Sequence, residues 1–324
     1  MSERVIVAGG GIVGRTIAVA LATQSHVAVT LLAGPTPPPD ERASAVAAAA
    51  RRMFSRLGIW QGVAEVAQPI NDMVITDSRA DDVIRPEVLT FEGERDAGAF
   101  AHMVPNDALR DALVARCADL QIDERPASAA FYEETPNTVD VDMDGGGHVS
   151  GAVLIAADGR QSKLRQIAGI SVVERDYDQY GLAGTLSHAK PHHGRATQHF
   201  LPNGPFAMLP LAGDHSSIVW TERPAFARSL AETDPMLASI EIERVFGLSL
   251  GRLCVEPPLR AHPLKAMLAR TFFEGRVALA GDAAHVIHPL AGQGLNLGLR
   301  DAAALAETLV LAARHGEDLS LALP

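Results

Sequence analysis

The sequence predicts an α/β fold in two parts: a domain with a parallel sheet and, inserted into it, a mostly antiparallel sheet. Three short apolar runs, at residues 4–8, 152–159 and 276–280, have the composition of buried strands. Between the second and third runs, over residues 181–221, the pattern changes to short strand-like segments separated by turn residues. The parallel-sheet domain is therefore discontinuous, because its pieces lie on both sides of the insertion.

The N-terminal elements form a strand–helix–strand unit. The run RVIVA is followed by three glycines and by the helical stretch IVGRTIAVALATQ, and HVAVTLL at 26–32 is the second strand. Strand, helix and strand within about 30 residues predict a right-handed βαβ unit with parallel strands. A proline-rich loop, GPTPPPD, follows the second strand.

The later elements follow from the spacing of apolar residues. We expect helices over 41–58, with its end at Gly58, over 106–120 and over 234–246. Residues 131–149 alternate between apolar and polar side chains and predict antiparallel hairpins. A long helix closes the chain.

Composition and charge exclude several classes of protein. The chain has 324 residues, of which 47% are apolar, so it is long enough for a sizeable core and is not globally disordered. The net charge of −11 argues against nucleic acid as the main partner, because binding to phosphates needs clustered Lys and Arg. The sequence does not indicate an oligomeric state.

Cysteines and apolar runs bear on the compartment. Cys117 and Cys254 are far apart, so a disulfide scaffold or zinc site is not expected and a reducing compartment fits. The start, MSERVIVAGGG, has no basic segment before a long apolar stretch, and no run of 18 apolar residues occurs. We therefore expect a cytoplasmic protein without a signal peptide or membrane span, with peripheral contact at the inner face of the membrane left open.

The first strand leads into a glycine pattern with a known physical use. Gly9, Gly11 and Gly14 form G-x-G-x-x-G between a strand and a helix. The first glycine permits a tight turn, the second lets the backbone approach a pyrophosphate, and the third lets the helix pack on the strand. A purely structural turn is the alternative. The position after the first strand favours a dinucleotide site.

One feature departs from the usual dinucleotide pattern. An acidic residue normally follows the second strand and binds the adenosine ribose. Here that strand ends with Leu32, Ala33 and Gly34, and Asp40 and Glu41 lie too far along to assume that they substitute. The ribose contact must then depend on other groups.

Two further motifs, taken with the glycine pattern, carry a resemblance to a known family. Asp158 and Gly159 occur in AADGRQSKLR, and Gly281 and Asp282 open GDAAHVIHPLAGQGLNLG. In this order the three motifs resemble those of the FAD-dependent aromatic hydroxylases, the para-hydroxybenzoate-hydroxylase-like flavoprotein monooxygenases. Four longer segments resemble the ubiquinone-biosynthesis hydroxylase subfamily, which acts on polyprenylated phenols: RASAVAAAARRMFSRLGIW, QHFLPNGPFAMLPL, SSIVWT and HPLAGQGLNLGLRDAAALAE.

The resemblance implies a division of the chain. It implies a Rossmann-like FAD-binding domain of the glutathione-reductase type and a mostly antiparallel substrate domain that roofs the substrate pocket. The FAD-binding domain would comprise residues 1–70, 100–178 and 262–324, and the substrate domain residues 71–99 and 179–261.

The resemblance also implies roles for the residues around the third motif. Asp282 would bind the ribityl chain of FAD, with a helix N-cap as the alternative. The N–H groups of Gly292, Gly294, Leu295 and Asn296 would point at the pyrimidine edge of the flavin, where charge gathers on reduction; a simple helix-start loop is the alternative.

Four other residues match positions of the family. Pro289 would stiffen the wall beside the flavin ring, where oxygen reacts, or be an ordinary turn former. Arg42 would reach FAD from the loop after the second strand, or be a surface arginine. Asn106 would contact the flavin or cap a helix. Asp158 would serve FAD and NAD(P)H together, or belong to a structural turn.

A metal centre is not expected. His285 and His288 flank the flavin loop, but no carboxylate or thiolate ligand stands at a useful spacing from them.

The implied reaction uses FAD as cofactor with NAD(P)H and O2 as co-substrates. NAD(P)H reduces the flavin, a C4a-hydroperoxyflavin forms with O2, and its distal oxygen passes to a phenolic ring; the protein excludes water and presents the ring. No protein nucleophile is expected. Two alternatives stay open: a related flavin reductase that needs no oxygen, and a non-catalytic FAD-bearing partner in a quinone-synthesis assembly.

Overall fold

The computed structural model describes residues 4–323 except 37, 41, 80, 81, 83, 84 and 94–97. In chain order the strands are β1 Arg4–Ala8, β2 Ala28–Leu32, β3 Ala43–Ala47, β4 Gln68–Ile70, β5 Asp72–Asp77, β6 Glu87–Glu92, β7 Ala101–Pro105, β8 Asp123–Arg125, β9 Ala129–Glu134, β10 Val139–Met143, β11 His148–Gly151, β12 Val153–Ala156, β13 Val172–His188, β14 Arg195–Leu201, β15 Gly204–Leu211, β16 His215–Glu222, β17 Leu253–Ala269, β18 Phe273–Glu274, β19 Val277–Leu279 and β20 His285–Val286. The α-helices are α1 Ile12–Gln24, α2 Ala48–Leu57, α3 Asn106–Asp119, α4 Lys163–Ile167, α5 Pro224–Glu232, α6 Pro235–Phe246 and α7 Gln293–His315.

The first sheet has six strands in the order β18-β19-β12-β1-β2-β8. All neighbours in it pair in parallel except β18 with β19. The central strands are buried on both faces, as expected of a parallel sheet, with α1, α3 and α7 over one face and β9–β11 over the other. The predicted βαβ unit and the parallel arrangement are confirmed.

The second large sheet has eight strands in the order β20-β17-β13-β16-β15-β14-β5-β6. Its pairs are antiparallel except β14 with β5. Leu182, Phe206 and Trp220 on one face pack against α5 and α6, and the opposite face is turned towards the first sheet. The predicted mostly antiparallel insertion is confirmed, and the fold is α/β as expected.

The fold also contains two three-stranded sheets. The strands β9, β10 and β11 form the antiparallel hairpins that the alternation at 131–149 predicts. The strands β3, β7 and β4 form a three-stranded antiparallel sheet that the sequence did not reveal. Because β3 and β7 precede α2 and α3, this small sheet fixes where both helices begin.

The prediction of one helix over 41–58 is wrong in its first part. Residues Ala43–Ala47 form β3, and the helix begins only at Ala48. Strand β3 pairs with β7, a partner more than 50 residues away, and such pairing overrides the helix preference of alanine. The predicted end at Gly58 is confirmed, since Gly58 has φ of 76° and caps α2 in the left-handed conformation. Glu41 lies outside the described residues.

The other predicted helices agree with the structure to within a few residues. Helix α3 ends at Asp119, and α6 begins at Pro235 after Asp234, whose side chain accepts a hydrogen bond from the Met236 N–H. The sequence patterns did not predict α5. They also did not predict the full length of β13 and β17, which have 17 residues each.

Candidate active site

The three sequence motifs lie at one edge of the parallel sheet. Strands β1, β12 and β19 are adjacent and parallel, so their carboxyl ends face the same way. Gly9 follows β1, Asp158 follows β12 and Gly281 follows β19, each within two residues of the strand's end. The fold therefore brings together three segments that are separated by more than 100 residues in sequence.

The glycine loop after β1 has the geometry that the pattern predicts. Gly9 has φ of 132°, and a Cβ there would lie 2.1 Å from the carbonyl oxygen of Ala157. A Cβ on Gly14 would lie 2.0 Å from the carbonyl oxygen of Gly9, so only glycine lets α1 pack against the strand here. Gly11, in contrast, has no atom within 4 Å of an added Cβ. The space beside Gly11 is thus open for a ligand at the start of α1.

The Asp158 loop is tied to the Asp282 loop by a buried arginine. Oδ2 of Asp158 accepts the Leu164 N–H at 3.3 Å, and Ser162 caps α4 by accepting the Arg165 N–H. The guanidinium of Arg165 donates to the Ala283 carbonyl at 2.8 Å. The side chain of Asp158 therefore takes part in a structural turn, and its motif holds the neighbouring loop in place.

Asp282 stands at the end of β19 with its carboxylate open to a cavity. Gly281 before it has φ of 59°, a conformation that favours glycine. The protein around the cleft partly desolvates Asp282 and raises its pKa, and the charges of His285 and Arg160 oppose this rise. The N-cap of the following helix α7 is Gly292, so Asp282 does not cap that helix, and its side chain is among those that line the cavity.

His285 and Asp301 form a hydrogen-bonded pair that the sequence did not predict. Nε2 of His285 lies 2.7 Å from Oδ2 of Asp301, and the two side chains are 4% and 17% exposed. The same Asp301 oxygen accepts the Gly281 N–H at 2.8 Å. Burial lowers the pKa of His285, but the hydrogen bond and charge of Asp301 prevail and raise it. Asp301 on α7 thus holds both Gly281 and a histidine that lines the cavity.

Arg42 is oriented by a small network that includes Asn106. Asp40 accepts hydrogen bonds from Nε and a terminal nitrogen of Arg42 at 2.7 and 2.8 Å, and from Nδ2 of Asn106 at 2.8 Å. Oδ1 of Asn106 accepts the Ser44 hydroxyl at 2.7 Å. Burial raises the pKa of the Asp40 carboxyl, but the hydrogen bonds from Arg42 and Asn106 prevail and lower it to about 2. The side chain of Asn106 supports the loop that presents Arg42; the helix cap is Pro105.

The start of α7 faces the same cavity. Gly292, with φ of 64°, is the N-cap, and an added Cβ would lie 3.0 Å from the Cβ of Ala45. The first N–H groups of a helix have no partner within it, which leaves those of Gly294 and Leu295 as donors to a ligand. Asn296 is different: its buried amide bonds the Ala47 N–H and the carbonyls of Ala45 and Gly292.

These residues surround a cavity of about 350 Å³, which we name the α7 cavity. Its floor comes from the α7 start, Asp282 and the Arg42 loop, and its roof from the eight-stranded sheet. The lining comprises Arg42, Ala43, Ser44, Ala45, Ala207, Leu209, Val219, Asp282, His285, Val286, Ile287, Pro289, Gly292, Gly294 and Leu295. Pro289 lies in this wall.

A second, larger cavity of about 750 Å³ adjoins the first at Arg42 and Ala43. We name it the arginine-lined cavity, because Arg42, Arg110 and Arg260 line it together with His262. Desolvation and the charges of Arg42 and Arg260 lower the pKa of His262. Asp40 and Glu256 line this space as well, so its wall carries charges of both signs.

The residues at this edge fit FAD. The open space at Gly11 and the N-terminus of α1 suit a pyrophosphate, and the acceptor oxygens of Asp282 suit sugar-like hydroxyls. The free N–H groups at the start of α7 suit the electron-rich edge of a flavin.

Within the described residues no group of three or more His, Cys, Asp or Glu side chains could hold a metal ion. No described helix has the length and apolar character needed to cross a membrane.

Comparison with known proteins agrees with this geometry. The family model described as FAD binding domain matches residues 2–322. Ubiquinone hydroxylase UbiL of Rhodospirillum rubrum is 37% identical over 327 residues, which cover 97% of this chain and 74% of that protein. The 3-demethoxyubiquinol 3-hydroxylase of Escherichia coli strain K12 is 34% identical over 325 residues, covering 97% of this chain and 81% of that protein.

Solved structures share the fold. PqsL of Pseudomonas aeruginosa, in complex with 2-aminobenzoylacetate, superimposes with a TM-score of 0.84 at 21% identity, covering 100% of this chain and 90% of that one. The p-nitrophenol 4-monooxygenase PnpA of Pseudomonas putida DLL-E4 gives 0.79 at 20% identity, covering 100% and 84%. This chain thus shares its fold with both of these proteins.

Proposed function

The chain belongs to the FAD-binding-domain family of flavoprotein monooxygenases, and we propose that it hydroxylates a phenolic, polyprenylated ring in ubiquinone biosynthesis with NAD(P)H and O2. The observation that carries this proposal is the α7 cavity. In this cavity the start of α7 and the Asp282 carboxylate, both suited to a flavin, lie opposite small apolar side chains of the eight-stranded sheet.

Each part of the cavity has a proposed task. When bound, FAD would be reduced by NAD(P)H and would then activate O2. Asp282 accepts hydrogen bonds from the ribityl hydroxyls, and the N–H groups of Gly294 and Leu295 stabilise negative charge on the ring edge. Pro289 closes the wall beside the ring without adding a donor. Glycines 9, 11 and 14 hold the pyrophosphate end.

The roof of the cavity suits an aromatic substrate. Ala207, Leu209 and Val219 are apolar and, apart from Leu209, small, so they exclude water while leaving room for a flat ring.

The division of the chain into an FAD-binding domain (1–70, 100–178, 262–324) and a substrate domain (71–99, 179–261) remains part of this proposal. The separate cores on α1, α3 and α7 and on α5 and α6 support it. Strands β13 and β17, however, extend across both boundaries and pair with each other on either side, so the two parts share one ribbon, which has a bulge at residues 177 and 178.

A polyprenylated substrate resides in a membrane, and we propose peripheral contact through the exposed face of α6. Met236, Leu237 and Ile240 lie on adjacent turns of this helix and are 69%, 54% and 55% exposed. The wild type should float with phosphatidylcholine vesicles, and the double variant Met236→Gln/Ile240→Gln should not. Val88→Gln, at a strand residue that is 65% exposed, is the matched control. Equal flotation of all three proteins would contradict the proposal.

The reaction is tested on purified protein reconstituted with FAD. NADPH or NADH should bleach the flavin absorbance under anaerobic conditions, and air should restore it. Phenols that carry short prenyl chains should then accelerate NAD(P)H oxidation and gain one oxygen atom from ¹⁸O2, as measured by mass spectrometry.

The rival functions give different results in the same assay. A flavin reductase would reduce a substrate double bond without oxygen, and no label from ¹⁸O2 would enter the product. A non-catalytic partner would bind FAD but consume no NAD(P)H with any phenol. Either outcome would overturn the proposed hydroxylation.

A further inference from the structure

The end of β2 has no carboxylate where dinucleotide-binding folds usually place one. Ala33 follows the strand, and its N–H donates to the Arg125 carbonyl at 2.9 Å. A Cβ on Gly10 would lie 2.8 Å from the Cα of Ala33, so this position directly adjoins the glycine loop. A side chain here would be within reach of an adenosine ribose, but alanine has no acceptor to offer.

The neighbouring strand brings a carboxylate to the same face of the sheet, two residues before the level of Ala33. Strand β8 pairs in parallel with β2, and Glu124 is the partner of Leu31. Paired residues of parallel strands project to the same face, and Leu31 packs on the α1 side of the sheet. Glu124 is therefore on the face that carries α1, one strand beyond Ala33.

A buried arginine joins Glu124 to the glycine loop. Arg15, in the first turn of α1, donates from Nε to the Gly10 carbonyl at 2.9 Å. Its two terminal nitrogens donate to the two oxygens of Glu124 at 2.8 and 2.7 Å. This bidentate pair fixes the direction of the carboxylate relative to the loop.

The pair differs from an ordinary surface ion pair in how it is exposed. The Arg15 side chain is 8% exposed, whereas that of Glu124 is 32% exposed. Each carboxylate oxygen has a second lone pair, so Glu124 can accept further hydrogen bonds while Arg15 holds it. The covered arginine and the open carboxylate are what a preorganised acceptor for hydroxyl groups requires.

We propose that Glu124, oriented by Arg15, replaces the missing acidic residue at Ala33 and accepts hydrogen bonds from the adenosine ribose hydroxyls of FAD. The assignment rests on the FAD-dependent function proposed above. It gives a place in cofactor binding to two residues outside all three sequence motifs.

The test compares FAD with an FAD analogue whose adenosine half is 2′,3′-dideoxy. Affinities are measured by quenching of flavin fluorescence for the wild type, Glu124→Gln and Asp123→Asn. Asp123 is the matched control, because it precedes Glu124 on β8 and its side chain bonds Thr30 and Arg125 instead. Thermal unfolding of the apoproteins monitors the loss of the Arg15 ion pair.

We expect Glu124→Gln to weaken FAD binding by roughly 10- to 100-fold, the range for a hydrogen bond to a charged acceptor. Binding of the dideoxy analogue should be the same in wild type and Glu124→Gln, and Asp123→Asn should bind both ligands like the wild type. If Glu124→Gln weakens both dinucleotides equally, the pair is only a clamp between α1 and β8 and the assignment is overturned. A wild type that binds neither dinucleotide overturns the proposed cofactor function, and the assignment with it.

Discussion

Asp301 shows how one carboxylate can organise several parts of a site. It accepts the Gly281 N–H and pairs with His285, and so connects α7 to the loop that presents Asp282. In Asp301→Asn the hydrogen bonds can persist while the charge is lost. We expect the free energy of unfolding to fall by about 1–2 kcal/mol at pH 6, as measured by urea denaturation.

The same substitution should change the pH dependence of stability. In the folded protein Asp301 raises the pKa of His285 above its ordinary value, against the effect of burial. A raised histidine pKa stabilises the fold fully below about pH 6.5, and this contribution disappears as the pH rises through the folded-state pKa. The difference between wild type and Asp301→Asn should therefore be largest below pH 6.5 and shrink above it. Parallel stability curves from pH 5 to 9 would contradict this.

Two glycines of the G-x-G-x-x-G motif should respond differently to alanine. In Gly14→Ala the new Cβ meets the Gly9 carbonyl at 2.0 Å, so the apoprotein should lose about 3 kcal/mol or more. In Gly11→Ala the Cβ meets nothing within 4 Å and φ is −75°, so apoprotein stability should change by less than about 1 kcal/mol. FAD affinity should nevertheless fall at least about tenfold, because a pyrophosphate approaches there. Unchanged FAD binding by Gly11→Ala would remove the pyrophosphate from this position.

At the scale of elements, Asn296 fastens β3 to α7. Its amide bonds the backbone on both sides of Val46 and the N-cap carbonyl, and the residue is 5% exposed. Asn296→Ala leaves these backbone groups without partners, and we expect a loss of roughly 2–4 kcal/mol in urea denaturation. Gln293→Ala, at an exposed residue one turn earlier, is the control and should change little. Similar losses in both variants would mean that the hydrogen bonds of the Asn296 amide contribute no stability.

The elements that the sequence predicted are those whose cause is local. Strand β1, the glycine loop and α1 follow from neighbouring residues, and the end of α2 follows from a left-handed glycine. Strand β3 could not be predicted, because its alanines favour a helix and its partners, β7 and Asn296, are distant in sequence. The long pair β13 and β17 is defined likewise by pairing across some 80 residues.

The same division holds for the site. Asp282 could be selected from the sequence because it ends a buried strand before a glycine-rich loop. Asp301 and Asp40 could not, since Asp301 bonds His285 from a different element and Asp40 accepts a hydrogen bond from Asn106 on α3. Asp301 is 19 positions after Asp282 on the final helix, and only the packing of that helix shows that it reaches Gly281. Of the residues selected from the sequence, Arg42, Asp282 and Pro289 line the α7 cavity, whereas the structure was needed to find the residues that hold them in place.

At the scale of the whole molecule, the cleft lies between two sheets with separate cores. The parallel sheet supplies the loops suited to FAD, and the eight-stranded sheet supplies the roof. Ala207 and Val219 belong to paired strands β15 and β16 and face each other in register. Their side chains are on the face opposite Phe206 and Trp220, which pack on α5 and α6. Enlarging a roof side chain should therefore fill the cavity without disturbing that core.

Val219→Phe tests whether this roof defines the substrate site. The added ring occupies much of the space for a substrate in a cavity of about 350 Å³ but touches none of the residues proposed for the pyrophosphate end. FAD should still bind, and NAD(P)H should still reduce it, but a phenol should no longer be hydroxylated. The electrons from NAD(P)H would then reduce O2 to hydrogen peroxide, so NAD(P)H oxidation and peroxide release should approach a ratio of one. Val88→Phe, at an exposed position on β6, should hydroxylate as the wild type does. Undiminished hydroxylation by Val219→Phe would place the substrate elsewhere, and the arginine-lined cavity would become the next candidate.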